Sequence, residues 1–357
     1  MHPYKSLPEH NYWKSGVGDK FWADINFKPT VRFKLSSQDN IATGGSCFAQ
    51  HVARNLPKLG LNHKVYEPAP TILPEQRAKE LQYGAFSARY GNIYTAKQLR
   101  QVIEFAFGLR PLVHMGVETS TGWVDLLRPG IQSEGFDSLH DLECDRIYHY
   151  ECVKQLFLAA DCFIFTLGLT EAWYDVSNGL VFPSCPGTRA GTFSPEIHKF
   201  INFDVMEIVD DLVWCVNFIK EINPDLKWIF TVSPVALAAT ATENNVLIAT
   251  SSSKATLRVA ADLLCKKFSH CEYFPSYEIV SSAATFGQFL DGDLRNISQR
   301  GVNFVMRVFK AAFVDGEISD HPLQSDSPTA ASPIGAALKS FADVECDESF
   351  NDPQAKL

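Results

Sequence analysis

The sequence predicts an α/β protein with a parallel sheet covered by helices on both faces. Two apolar runs, Asp161-Cys162-Phe163-Ile164-Phe165-Thr166-Leu167 and Lys227-Trp228-Ile229-Phe230-Thr231-Val232, have the composition of strands buried on both sides. Helical patterns alternate with them, which is the rhythm of βα units. A third observation is the turn Gly44-Gly45-Ser46-Cys47-Phe48-Ala49, which follows the short extended run Asp39–Thr43 and opens a helix.

Taken in order, residues 1–38 carry scattered aromatics without periodicity: Tyr4, Tyr12, Trp13, Phe21, Trp22, Phe27 and Phe33. They read as an irregular arm laid across the domain surface, with the aromatics as anchors. After the turn at Ser46, residues Phe48, Val52, Leu56 and Leu59 recur at helical spacing on one face. Lys64-Val65-Tyr66 reads as a short strand, and Pro68, Pro70 and Pro74 then exclude regular structure. Thr95 reads as the N-cap of a helix through Phe107, with Leu99, Val102, Ile103 and Ala106 on its apolar face. Residues 108–148 read as an insertion, residues 149–160 as a helix, and residues 174–203 as a second, loop-rich insertion. The chain then gives a helix from Asp204 to Ile222, the strand at 227–232, a helix from Ser252 to Phe268, a strand at Glu272–Phe274 and a closing helix from Ser298 to Phe313. The α/β domain is therefore expected over residues 39–314, followed by a disordered tail at 315–357 rich in Asp, Ser, Pro and Glu.

Composition narrows the function classes. Hydrophobic residues at 46% and charged residues at 20% are enough for one large core. A net charge of −9 argues against nucleic acid or an anionic membrane as partner. No apolar run is long enough to span a bilayer, and Met1-His2-Pro3-Tyr4-Lys5-Ser6 lacks the apolar core of a secretory signal. Nine cysteines, an odd number with no Cys-x-x-Cys pair, read as reduced thiols rather than disulfides or a zinc site. Together these point to the cytoplasm and to neither metal nor cofactor. The oligomeric state stays open.

The turn at Ser46 carries the chemistry. Two glycines let the backbone bend tightly and approach a ligand. The serine then sits at a helix N-terminus, where the dipole favours a developing anion. That layout suits an acyl-transfer nucleophile. The same residues also read as an ordinary N-cap serine, and local sequence alone leaves both open.

Gly45-Ser46-Cys47-Phe48-Ala49 is also the signature of the GSCFA family, a bacterial group allied to the SGNH (GDSL-like) hydrolases. The likeness continues through Gln50-His51, Arg54, Tyr83-Gly84, Phe86–Arg89 and Gly91–Ala96, then through Phe165–Trp173, Cys185–Thr188 and Gly191–Phe193. It ends with Thr231–Val235, Tyr273–Ile279 and Asp293-Leu294-Arg295. The resemblance implies the α/β/α sandwich with a flavodoxin-like, SGNH-type parallel sheet, with ligands bound outside the carboxyl ends of the strands. It also implies a serine esterase or O-acyltransferase, and by analogy with related families an acylated carbohydrate as substrate.

Carried over residue by residue, the resemblance makes Ser46 the nucleophile, its own N–H part of the oxyanion hole, and Gly45 the glycine before it. Gly91 is the candidate for its second-block glycine, with Gly84 as the alternative. Gly168-Leu169-Thr170-Glu171 stands where Gly-x-Asn-Asp is expected, so Thr170 occupies the place of an oxyanion-binding amide. A hydroxyl donates one hydrogen bond and reaches less far. Asn92, beside Gly91, is an alternative source of that amide. The fourth block departs most: Asp293-Leu294-Arg295-Asn296 replaces Asp-x-x-His, and asparagine cannot accept a proton at neutral pH. Asp293 with Arg295 also reads as a plain ion pair. His51 lies five residues beyond Ser46, about 140° round a straight helix, which argues against it as a direct base. His198 in the second insertion and Glu171 near the strand ends are the candidate replacement bases. The competing expectation is a non-catalytic binding module on the same fold, favoured by Thr170 and Asn296.

Overall fold

The computed structural model describes residues 2–112 and 115–315 together with Asp347. Of the tail expected at 315–357, all but Asp315 and Asp347 lies outside the described residues. In chain order the first elements are β1 (Ile41–Gly45), α1 (Phe48–Asn55), α2 (Glu75–Glu80), α3 (Ala96–Ala106), β2 (Gly116–Glu118), β3 (Trp123–Asp125) and α4 (Leu139–Ala159). The central ones are β4 (Cys162–Leu167), β5 (Glu171–Asp175), β6 (Val181–Phe182), β7 (His198–Asn202) and α5 (Val205–Ile222). The last are β8 (Lys227–Val232), α6 (Val246–Lys267), β9 (Cys271–Phe274), α7 (Ser276–Ser281) and α8 (Gln299–Phe313).

Strands β1, β4, β8 and β9 form one parallel sheet in that spatial order. Successive strand residues face opposite sides, and here both sides are apolar. Phe163, Phe165, Trp228 and Phe230 pack with Leu99, Ile103, Val153, Leu156, Leu212, Val216, Leu257 and Ala261 of α3 to α6. Cys162, Ile164 and Ile229 on the opposite side pack with Phe48, Val52, Ile279, Val305 and Phe309 of α1, α7 and α8. The protein is thus a three-layer α/β/α sandwich, as its buried runs and alternating helices predict.

The caps fall where the sequence puts them. Thr95 and Gln98 form a capping box on α3, Asp204 and Glu207 another on α5, and the Ser298 hydroxyl caps α8. Each such cap contributes about 1 kcal/mol.

Four local expectations are corrected. Helix α4 begins at Leu139, capped by Ser138, rather than near residue 149. Helix α6 begins at Val246 rather than Ser252. Lys64-Val65-Tyr66 is not a strand, although His63 makes a single bridge to Ile41 at the open edge of β1. The segment read as a loop-rich insertion supplies β6 and β7 to a three-stranded antiparallel sheet, ordered β6-β5-β7.

The N-terminal segment divides in two. Trp22, Phe27 and Phe33 pack against the α8 side, with Trp22 edge-on to Phe289 at 5.3 Å. Tyr4, Trp13 and Phe21 are exposed.

Candidate functional site

Ser46 follows the last residue of β1, at the carboxyl end of the sheet. Gly45 has φ +127°, and a Cβ there would lie 2.3 Å from the Thr166 carbonyl oxygen on β4. Only glycine fits this close approach between strands. The Ser46 N–H donates to the same Thr166 carbonyl at 3.0 Å. It is therefore spent on the sheet, which corrects the expectation that it serves an oxyanion hole. The Ser46 side chain is 2% exposed, and its Oγ has no hydrogen-bond partner among the described residues. A buried hydroxyl left unpaired costs free energy, and an N-capping role would have satisfied it. The cap reading fails on this point: α1 carries no side-chain cap bond, and its N-cap residue is Cys47.

Two further loops converge on the serine. Gly168, after β4, lies so close that a Cβ on it would stand 2.9 Å from Ser46 Cβ and 3.0 Å from the Tyr94 carbonyl oxygen. The Gly168 and Leu169 N–H groups both donate to that carbonyl, at 3.0 and 3.2 Å. Gly91 takes φ +66°, and the Ile93 N–H beyond it donates to the Gly45 carbonyl at 2.8 Å. Gly45, Gly91 and Gly168 are thus brought together with Ser46.

Asn92, 3% exposed, lies in the same loop. Its Oδ1 accepts from Gln50 Nε2 at 3.4 Å, and its Nδ2 donates to Asp347 Oδ2 at 2.8 Å. The Asp347 carboxylate, itself buried, also pairs with the Arg189 guanidinium. Nothing local in the sequence announces this long-range carboxylate.

Thr170 is committed elsewhere. Its hydroxyl donates to Asn202 Oδ1 at 2.6 Å, and its N–H donates to Ser253 Oγ at 3.0 Å. The Glu171 carboxylate accepts from the Thr240 hydroxyl at 2.6 Å and the Ala241 N–H at 3.1 Å. His198 sits at the far end of β7 from Asn202, about 13 Å along the strand. Its Nδ1 accepts from the Ser194 N–H, and its ring packs between Phe182 and Phe193. Asp293 closes its own turn, accepting from the Arg295 and Asn296 N–H groups and from Asn296 Nδ2 at 2.6 Å. That turn is docked on the chain after β8, where Arg295 Nε donates to the Ala236 carbonyl at 3.1 Å. None of Thr170, Glu171, His198 and Asp293 hydrogen-bonds to Ser46 Oγ.

The residue that sequence reasoning missed is Lys254. It is 2% exposed, and its Nζ donates to the Gly168 carbonyl oxygen at 2.5 Å. A signal was present: Lys254 falls in register with Leu257, Ala261 and Leu264 on the buried face of α6.

Beside these loops lies a cavity of about 260 Å³ lined by Leu169, Trp173, Phe182, Phe200, Leu237 and Thr240 among others. Trp173 pairs directly with Phe182 on one side and Phe200 on the other, so the three rings form a row across the second sheet. Among the described residues no group of three or more His, Cys, Asp or Glu side chains is arranged to hold a metal. Nor is any described helix long and apolar enough to cross a membrane.

Fold and site together describe an α/β/α sandwich with a buried serine on a strand-to-helix turn. Residues 40–309 match the GSCFA family, and the chain belongs to that family. Among solved structures it is similar to a protein from Parabacteroides merdae ATCC 43184, proposed to be a GDSL-like lipase. The two share 11% identity over 80% of this chain and 98% of that one, with a TM-score of 0.31, a likeness too low to support any inference. Among curated proteins none matches.

Proposed function

We propose that the protein is a serine esterase or O-acyltransferase, with Ser46 as nucleophile and an acylated carbohydrate as substrate. One observation carries this: Ser46 Oγ is buried, with no hydrogen-bond partner among the described residues, on a turn that requires glycine at position 45. Reactive groups are held in such costly states where function requires them. In the step envisaged, Oγ attacks the acyl carbon, the carbonyl electron pair moves onto oxygen, and the hydroxyl proton passes to water. Collapse then breaks the bond to the alkoxy oxygen, which takes a proton from water and leaves as the alcohol. Water or an acceptor hydroxyl then attacks the acyl carbon and gives up its proton to water, and Oγ leaves and is reprotonated.

The row formed by Trp173, Phe182 and Phe200 supports a sugar as the alcohol part. Aromatic faces cover the apolar face of a ring, while Glu171, Thr188 and Thr240 offer polar groups around it. The protein is assigned to the cytoplasm, in keeping with eight described cysteines that are all free.

A second proposal is a binding module on the same fold. Asn296 in place of a histidine and the committed Thr170 hydroxyl favour it. Hydrolysis of p-nitrophenyl acetate separates the two. Slow turnover by the wild type, absent in Ser46→Ala, supports the enzyme; equal rates for the two proteins support the binding module.

A further inference from the structure

Lys254 and Ser253 are consecutive residues of α6, and they grip the two ends of one three-residue segment. Lys254 Nζ holds the Gly168 carbonyl at 2.5 Å, and Ser253 Oγ holds the Thr170 N–H at 3.0 Å. Gly168 in turn is the residue packed on Ser46 Cβ. A lysine 2% exposed is costly, because burial removes its ammonium from water. Its neighbours in register, Leu257 and Ala261, show that the same helix face elsewhere takes apolar residues. The ammonium lies within about 9 Å of Ser46 Cβ, counting the bonds and contacts that join them.

We infer that Lys254 is a positioning residue for Ser46, supplying the fixed positive charge that Asn296 cannot. This rests on Ser46 being the nucleophile. The ammonium pins the 168–170 segment against the serine and favours the negative charge that forms on Oγ and then on the carbonyl oxygen. The Ser46 hydroxyl proton leaves to water, as above, and Lys254 acts by its position and charge rather than as the base. Among the described residues, charged groups at this end of the sheet include Glu171, tied to Thr240 and Ala241, the Asp293–Arg295 turn at Ala236, and Asp347 with Arg189. Each is engaged with partners of its own.

The test is the rate at which a fluorophosphonate labels Ser46 across pH 6–10, in the wild type and in Lys254→Met, Lys254→Gln and Lys254→Arg. Lys254→Gln keeps a donor for the Gly168 carbonyl and drops the charge, so it stands in if the methionine variant fails to fold. The neutral variants should label at least tenfold more slowly, with the rise in rate displaced to higher pH. Lys254→Arg should recover most of the rate at the original pH. A folded neutral variant, judged by circular dichroism and thermal melting, that labels at the wild-type rate with an unmoved profile would overturn the inference and leave the Ser46 assignment standing. A wild type that does not label overturns both.

Discussion

Gly45 and Thr166 stand face to face across β1 and β4, so close that the glycine's hydrogen occupies space no methyl group could enter. That contact sets the direction in which the chain leaves β1 and so aims Ser46. Gly45→Ala should therefore destabilise the fold by about 3 kcal/mol or more, from backbone strain and overpacking together. Gly179→Ala is the control, because its φ of +70° is similarly unfavourable but nothing lies within 4 Å of the added methyl. It should cost only about 1 kcal/mol. Urea denaturation of the two variants checks the difference.

Gly168→Ala probes the opposite wall of the site. Its backbone is not in the left-handed region, so the cost comes from the contacts with Ser46 Cβ and the Tyr94 carbonyl alone. A loss of about 1–3 kcal/mol is expected, which a domain of this size should survive. Ester turnover should fall far more, at least tenfold, because displacement of the serine is penalised directly. Parallel melting and turnover measurements would show it.

Acid should weaken the protein in two stages. Burial, assisted for His51 by Arg54, pushes the pKa values of His51 and His63 down to about 4. Both side chains are thus held neutral in the fold, and their contribution is complete above pH 6.5 and lost as pH falls from 6.5 to 4. Burial alone would raise Glu67, but His149, Arg128 and the Arg89 N–H hold it down at about 2. His149 lies in the same buried network, its Nδ1 2.7 Å from Glu67 Oε2. That contribution is present above pH 4.5 and lost as pH falls toward 2. Urea midpoints at pH 8, 5.5 and 4 should fall in order. Glu67→Gln, which breaks a fully buried network, should cost about 3–5 kcal/mol at pH 8.

Asn296→His asks whether the fourth block still aims at the site. The present side chain reaches Asp293 at 2.6 Å, and a histidine Nδ1–H in its place would find the same carboxylate. General-base assistance is worth about a hundred- to ten-thousandfold where alignment is good. A gain of tenfold or more in labelling of Ser46 is expected, growing as pH rises through 6.5. An unchanged rate would mean that the turn at Ala236 points away from the serine.

The central layers were legible because their residues have one environment. Phe163, Phe165, Trp228 and Phe230 need burial on any strand, and Thr95, Asp204 and Ser298 cap helices by local bonds alone. The second sheet was not legible, since Trp173, Phe182 and Phe200 are spread over a stretch rich in Pro and Gly and meet only by pairing. Helix starts were lost where exposed apolar residues blur the pattern, as at Ile147 and Tyr148 in the first half of α4 and at Leu247 and Ile248 in the first turn of α6. At the site, Ser46 with Gly45, Gly91 and Gly168 could be read from the chain, because glycine identity reports backbone geometry. The partners of Thr170, Glu171 and His198 could not, being set by contacts with Asn202, Thr240 and Ser194 in later segments. Lys254 was hidden within a Ser-Ser-Ser-Lys run that looks solvated.

The most direct test of the account is the site of covalent modification. Purified protein treated with a fluorophosphonate should gain one adduct by intact mass, mapped to the peptide containing Ser46, and Ser46→Ala should gain none. Equal modification of both proteins, or a wild type that is folded yet unmodified at every pH from 6 to 10, would contradict it.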